Sequence, residues 1–242
     1  MKFLTRFILA VGILIISCPW SIAGEPRQGI QSGFPPSKES YWIYQGVTKW
    51  TKPNSNEVVK RTLKWKMEVI ETINREQVTA AVVKGFPEDL AWYEEGKERG
   101  DYLIIQVGKD KFYLLKRERG KETLKRLRDK EDDLVDLIKD EEQFLELPLY
   151  EGKRFGETSQ ITRQNGSYCW EVTGVEETEL KSIKGISSSA KVRQYQLIFR
   201  TRPDHQIVEF VRGIGITRYT YTHHGTVSET DLKLIEYSKG KE

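Results

Sequence analysis

The chain has 242 residues, 31% charged and 38% hydrophobic, with a formal net charge of +3. This is an ordinary globular composition, and at this length roughly 70–75% of the unfolded surface can be buried, so no disulfide framework is needed. So small a net charge excludes the basic footprint of a nucleic-acid-binding protein, and the length suits one large domain or two small ones.

The first element is an export signal. "MKFLTRFILAVGILIISCPWSIAG" pairs a basic start, Lys2 and Arg6, with an apolar run from Phe7 to Ile16. That run is shorter than the roughly 20 apolar residues of a membrane-spanning helix, and the pattern fits a secretory signal. Small residues at Ser21 and Ala23 favour cleavage before Gly24, giving a signal over 1–23. The alternative is a lipoprotein signal over 1–17, with Cys18 as the lipidated residue and the membrane reached only through that anchor. No acidic residue precedes Gly24, so loss of Lys2 and Arg6 takes the charge from +3 to +1. Residues 24–40 are rich in Gly, Pro and Ser and read as a flexible linker. Cys18 and Cys169 are the two cysteines. With Cys18 removed, Cys169 is left without an internal partner and reads as a small buried hydrophobe.

The body of the chain, 41–237, reads as one β-rich domain. "SYWIYQGVTKW" is rich in aromatic and β-branched residues, a strand composition. "RTLKWKMEVIETI" sets Leu63, Trp65, Met67 and Val69 against Lys64, Lys66 and Glu68, a period of two with one apolar face. "QVTAAVVKG" follows. "FPEDL" interrupts the pattern, and "DYLIIQV" and "KFYLLKR" form a hairpin about Gly108. Residues 121–147 contain no Gly or Pro and carry Leu124, Leu127, Leu134, Ile138 and Leu145 at helical spacing, which predicts one long amphipathic helix packed on the sheet. Its basic first half and acidic second half oppose the helix dipole. Asn165-Gly166 predicts a second hairpin, and "KVRQYQLIFR", "QIVEFVR", "GITRYTYT" and "TDLKLIEY" complete the strands. The expected fold is mainly β (α+β): a curved antiparallel sheet or half-barrel carrying that helix.

"VEFVRGIGITRYTYTHH", Val208 to His224, holds the features that most resemble chemistry. Gly213 and Gly215 lack the third glycine and the following helix of a dinucleotide loop, so they mark a bend between strands. His223 and His224 are neighbours that point to opposite faces of a strand, and no spacing joins them with His205 to a carboxylate as a metal set. No nucleophile elbow or Cys-His signature is present. No catalytic, cofactor-binding or metal-ligating residue is therefore assigned, and no cofactor is expected.

Four segments resemble one family. "GFPPSKESYWIYQG" is similar to a Phe-Pro…Trp-x-Tyr opening, "LPLYEGKRFG" to a Leu-Pro-Leu…Gly-Lys-x-Trp segment and "YCWEVTGVEETE" to a Trp-x-Val-x-Gly-x-Glu strand. "FVRGIGITRYTYTHHGTVSETDLKLIEY" resembles a Pro-Gly-Val-Gly-Leu-Val-Lys…Leu-x-x-Tyr close. The family is an uncharacterised group of exported bacterial β-rich proteins, lipoprotein-like or TapB-like domains of unknown function. Phe155 stands where its tryptophan is usual, and Arg212 where it has proline. The resemblance spans about 34–237 and implies a curved sheet with a helix against its concave side. It supplies no catalytic residue.

Two functions follow as expectations. In the first, a non-enzymatic envelope protein, periplasmic, secreted or lipid-anchored, binds a lipid, an acyl ligand or an envelope protein with its curved sheet. The helix would then be a lid or plug, and Trp42, Tyr44, Trp50, Trp65 and Trp92 the ligand-lining candidates. The alternatives are an exported hydrolase built from distant carboxylates with His205, His223 or His224, and a structural assembly subunit. No oligomeric state is read.

Overall fold

Alternating side chains over long strands can bury one face only if the sheet curls or meets another layer. Here the sheet curls on itself. The computed structural model describes Phe34, residues 37–186 and residues 191–240; the export signal, both cleavage sites and Cys18 lie outside them, as does most of the linker. The strands are β1 (Tyr41–Thr51), β2 (Val58–Arg75), β3 (Val78–Lys84), β4 (Asp101–Val107), β5 (Lys111–Lys116), β6 (Gln143–Glu146), β7 (Arg154–Phe155), β8 (Trp170–Glu179), β9 (Lys191–Arg200), β10 (Asp204–Val211), β11 (Gly215–His223) and β12 (Ser228–Ser238).

They form one sheet in the order β6-β5-β4-β3-β2-β1-β12-β11-β10-β9-β8-β7. Each strand lies beside its neighbour in sequence, and β1 pairs antiparallel with β12, Tyr41 facing Ser238 and Trp50 facing Ser228. The first and last strands thus sit at the middle of the sheet. The nearly closed, barrel-like ring has its break between β6 and β7. Side chains bridge that break: the Gly156 N–H donates to Gln143 Oε1 at 2.9 Å, and Thr158 Oγ1 donates to Asp140 Oδ2 at 3.1 Å.

Inside, one hydrophobic cluster draws on both halves of the ring: Trp42 and Tyr44 of β1, Trp65 and Met67 of β2, Phe112 of β5, Val208 and Phe210 of β10, Tyr219 and Tyr221 of β11. The predicted alternation of β2 holds, with Trp65, Met67 and Val69 buried. Outward positions carry charge. Lys49 meets Glu229 at 2.6 Å, and Arg218 meets Asp231 at 2.9 Å and Glu209 at 3.3 Å. An apolar inside and a charged outside reverse the alternation of a membrane-spanning barrel.

The helix packs on the sheet as expected, but its bounds and its side differ. Helix α1 runs Arg117–Arg128. It covers the outer face of β3–β5, where Leu127 and Leu137 join Ala80, Leu103, Ile105, Tyr113 and Leu115 in a second cluster. It is therefore neither on the concave side nor a plug. The helix ends where aspartates capture local backbone N–H groups: Asp129 Oδ1 accepts from Glu131, Asp132 Oδ1 from Leu134 and Asp133 Oδ1 from Val135, a turn chemistry that competes with helix. Leucine spacing persists beyond the end because Leu134, Leu137 and Ile138 follow the same outer cluster in turns. The dipole conflict disappears too. Lys125, Arg126 and Arg128 occupy the last turn of the true helix, where positive charge is favoured, and the acidic residues lie beyond it.

The Asn165-Gly166 turn also differs from its expected setting. Asn165 Oδ1 accepts from the Ser167 N–H at 3.0 Å, but a short helix α2 (Thr158–Ile161) precedes it, and the preceding strand that pairs with β8 is only the two-residue β7.

A cavity within the curled sheet

The segment that interrupted the strand pattern builds one wall of the site. Gly85, at φ +78°, has no room for a Cβ, which would lie 2.3 Å from the Lys66 carbonyl oxygen. Only glycine permits this turn. The Trp65 indole N–H donates to the Gly85 carbonyl at 2.9 Å, and the chain enters the barrel as a 3-10 turn, Pro87–Leu90. Phe86, Leu90 and Tyr93 are buried there. Thr230 Oγ1 of β12 donates to the Leu90 carbonyl at 2.6 Å, and the Trp92 N–H donates to Ser228 Oγ at 3.1 Å. Asp89 accepts from the Tyr102 hydroxyl at 2.7 Å and the Gly100 N–H at 2.8 Å; burial pushes its carboxyl up despite these bonds.

Between this segment and the far wall lies a small cavity, partly open to solvent, with about 30 Å³ free to the centre of a water-sized sphere. Phe86 and Glu88 come from the inserted segment, Leu114 from β5, and Phe144 and Leu145 from β6. The opposite wall is Trp170 of β8, Leu197 of β9, Gln206, Val208 and Phe210 of β10, and Ile216 and Tyr219 of β11. The Glu88 carboxylate pairs with the Lys116 ammonium at the end of β5. The Tyr219 phenol is pushed well above its ordinary value, first by burial and then by the Glu88 charge, so it is a neutral hydrogen-bond donor at any physiological pH.

The aromatic candidates read from sequence sit elsewhere. Trp42, Tyr44, Trp50 and Trp65 are buried in the core, and Trp92 is 47% exposed; none lines this cavity. Trp42 and Tyr44 stand behind its wall. The Trp42 indole donates to the Ile214 carbonyl at 2.7 Å and the Tyr44 hydroxyl to the Ile216 carbonyl at 3.0 Å. Trp50 meets Tyr93 edge to face, with ring centroids 5.0 Å apart. The residues that do line the cavity were partly visible: Gln206, Val208 and Phe210 share one face of β10, and a polar side chain on an apolar face is a signal. Glu88 lay in the segment noted only as a break.

The two glycines form the expected bend. Gly213 and Gly215 have φ +79° and +100° and link β10 to β11. At the far end of this hairpin the histidines gather more closely than their spacing implied. His223 Nδ1 lies 2.9 Å from Asp204 Oδ1, which also accepts from the Tyr221 hydroxyl at 2.6 Å. The Trp92 ring covers His223 at 4.3 Å. His205 Nδ1 and His224 Nε2 are 3.2 Å apart. Among the described residues no group of three or more ligating side chains could hold a metal, and the hydroxyls bonded to the Asp204–His223 pair, those of Tyr221 and Thr201, donate to Asp204 rather than to the His223 ring. Cys169 is buried, with its Sγ 3.8 Å from the Gly166 carbonyl.

No protein-family model and no curated protein matches the chain. Two solved structures resemble it. One is a protein of Bacteroides fragilis, inferred to be exported, with a YmcC-like fold; it is 9% identical, with 86% of this chain and 99% of that chain covered at a TM-score of 0.40. The other, inferred to be a lipoprotein, is from Parabacteroides distasonis; it is 12% identical, with 85% of this chain and 97% of that chain covered at a TM-score of 0.35. Neither is described as a TapB-like domain.

Proposed function

We propose that the protein is an exported, non-enzymatic envelope protein that binds an apolar ligand inside its curled sheet. The observation that carries this reading is the cavity walled by Phe86, Leu114, Phe144, Leu197, Val208 and Phe210. Up-and-down barrels large enough to leave interior space use it in this way. Each methylene moved from water into such a wall contributes about 0.8 kcal/mol, so an acyl or aryl body binds without any charged anchor. The amino-terminal signal supports an extracytoplasmic location, with cleavage before Gly24 favoured over lipidation at Cys18. The Asp204–His223 pair is read as part of the hairpin's structure. Its ring and carboxylate are occupied by Trp92 and Tyr221.

The test uses the chain beginning at Gly24 and the neutral fluorophore N-phenyl-1-naphthylamine. The wild-type protein binds the probe with enhanced emission, and Val208→Trp, which fills the cavity, weakens binding at least tenfold while circular dichroism is unchanged. Leu114→Phe on the opposite wall acts in the same direction. A wild-type chain that leaves the probe dark, or filled variants that bind it equally well, contradicts the reading.

A further inference from the structure

Besides the Trp170 ring, three polar side chains line the cavity: Glu88, Gln206 and Tyr219. Tyr219 is the unusual one. It is 1% exposed, yet its hydroxyl has no hydrogen-bond partner among the described residues. Three other interior phenols are satisfied: Tyr44 donates to the Ile216 carbonyl, Tyr102 to Asp89 and Tyr221 to Asp204. Native proteins leave few buried hydroxyls unpaired, and each calls for an explanation. A hydroxyl at the wall of an apolar cavity is explained if a ligand brings the partner. The facing wall carries the Glu88 carboxylate, kept in place by Lys116. A second carboxylate brought into this enclosed apolar space meets a like charge and loses its hydration.

Building on the carrier reading, we propose that the cavity selects amphiphiles whose apolar body ends in a neutral oxygen group, an alcohol, ester or amide, which Tyr219 hydrogen-bonds, and discriminates against those ending in a carboxylate. A site built to hydrogen-bond one group rejects an analogue that leaves the site's own polar atom unpaired. Gln206 supplies a second donor and acceptor on the same wall.

The experiment is displacement of bound N-phenyl-1-naphthylamine by decan-1-ol and by decanoate at pH 7.5. The alcohol displaces the probe at a concentration at least tenfold lower than the carboxylate. In Tyr219→Phe the alcohol weakens by about five- to tenfold, the size of one buried hydrogen bond. Glu88→Gln narrows the gap by admitting decanoate. Tyr219→Phe removes only an unpaired hydroxyl, so it folds with an unfolding midpoint at or above that of wild type. Equal displacement by the two amphiphiles, or a Tyr219→Phe variant that holds decan-1-ol as tightly as wild type, overturns this selectivity and leaves the carrier reading standing. A probe that never binds wild type removes both.

Discussion

The Trp42 indole N–H donates to the Ile214 carbonyl across 2.7 Å, tying the start of β1 to the bend between β10 and β11. The residues are 172 positions apart, and the bond explains why the glycine bend is shaped as it is. Gly213 and Gly215 turn their shared carbonyl inward, and Gly215 passes so close to Phe34 that a Cβ would lie 3.2 Å from its ring.

Trp42→Phe therefore removes a buried donor, leaves the Ile214 carbonyl unpaired and opens space beside Tyr237. The expected cost is about 2–4 kcal/mol, read as a lower urea midpoint with an unchanged slope. Gly215→Ala costs at least about 1 kcal/mol through its φ of +100°. If both variants unfold at the wild-type midpoint, the bend is not held in this way.

Arg75, at the end of β2, reaches the carbonyls at the end of α1 and in the turn after it, with the Arg126 carbonyl 3.1 Å from its Nη1. Arg75→Ala is expected to remove amide-exchange protection from residues 126–138 while β4 and β5 stay protected. Uniform loss across the sheet would show instead that α1 and the barrel unfold as one unit.

Asp204 carries the pH prediction. Burial raises its carboxyl, but hydrogen bonds from Tyr221, His223 and Thr201 outweigh burial and hold it below the ordinary value. A carboxyl lowered in the folded state stabilises fully above its unfolded value of about 3.9, and that contribution is lost as pH falls through the lower native value. Asp204→Asn is therefore less stable than wild type at pH 7, and the difference shrinks below about pH 4. A difference that stays constant down to pH 2 would mean that charge on Asp204 contributes nothing.

Cys169 is buried, and burial, the largest influence, pushes its thiol above the usual range. Reaction with a thiol reagent such as 5,5′-dithiobis(2-nitrobenzoate) at pH 8 should be negligible in the native chain and complete in denaturant. Fast native labelling would show that the strand around Cys169 opens without global unfolding.

How legible this was in the sequence depended on the range of the forces involved. The strands could be read because alternation is local: Trp65, Met67 and Val69 bury on one face whatever the topology. The helix was misplaced because the same leucine spacing serves a helix as far as Leu127 and a turned segment through Leu137, and only the aspartate side chains at 129, 132 and 133 separate the two. The cavity was hidden for a different reason. Glu88, Gln206 and Tyr219 come from an inserted turn and two strands, and neither the closure of β1 on β12 nor the inward course of 86–93 leaves a periodic trace. The large aromatics that drew attention, Trp42 and Tyr44, hold the wall from behind.

The central claim, an apolar ligand inside the barrel, is tested most directly by methyl-resolved NMR of the chain titrated with decan-1-ol. The predicted result is chemical-shift change at the methyls of Leu114, Leu197 and Val208, with the outer cluster of Leu103, Leu115 and Leu127 unmoved. Shifts confined to the outer cluster, or none at saturation, would contradict it.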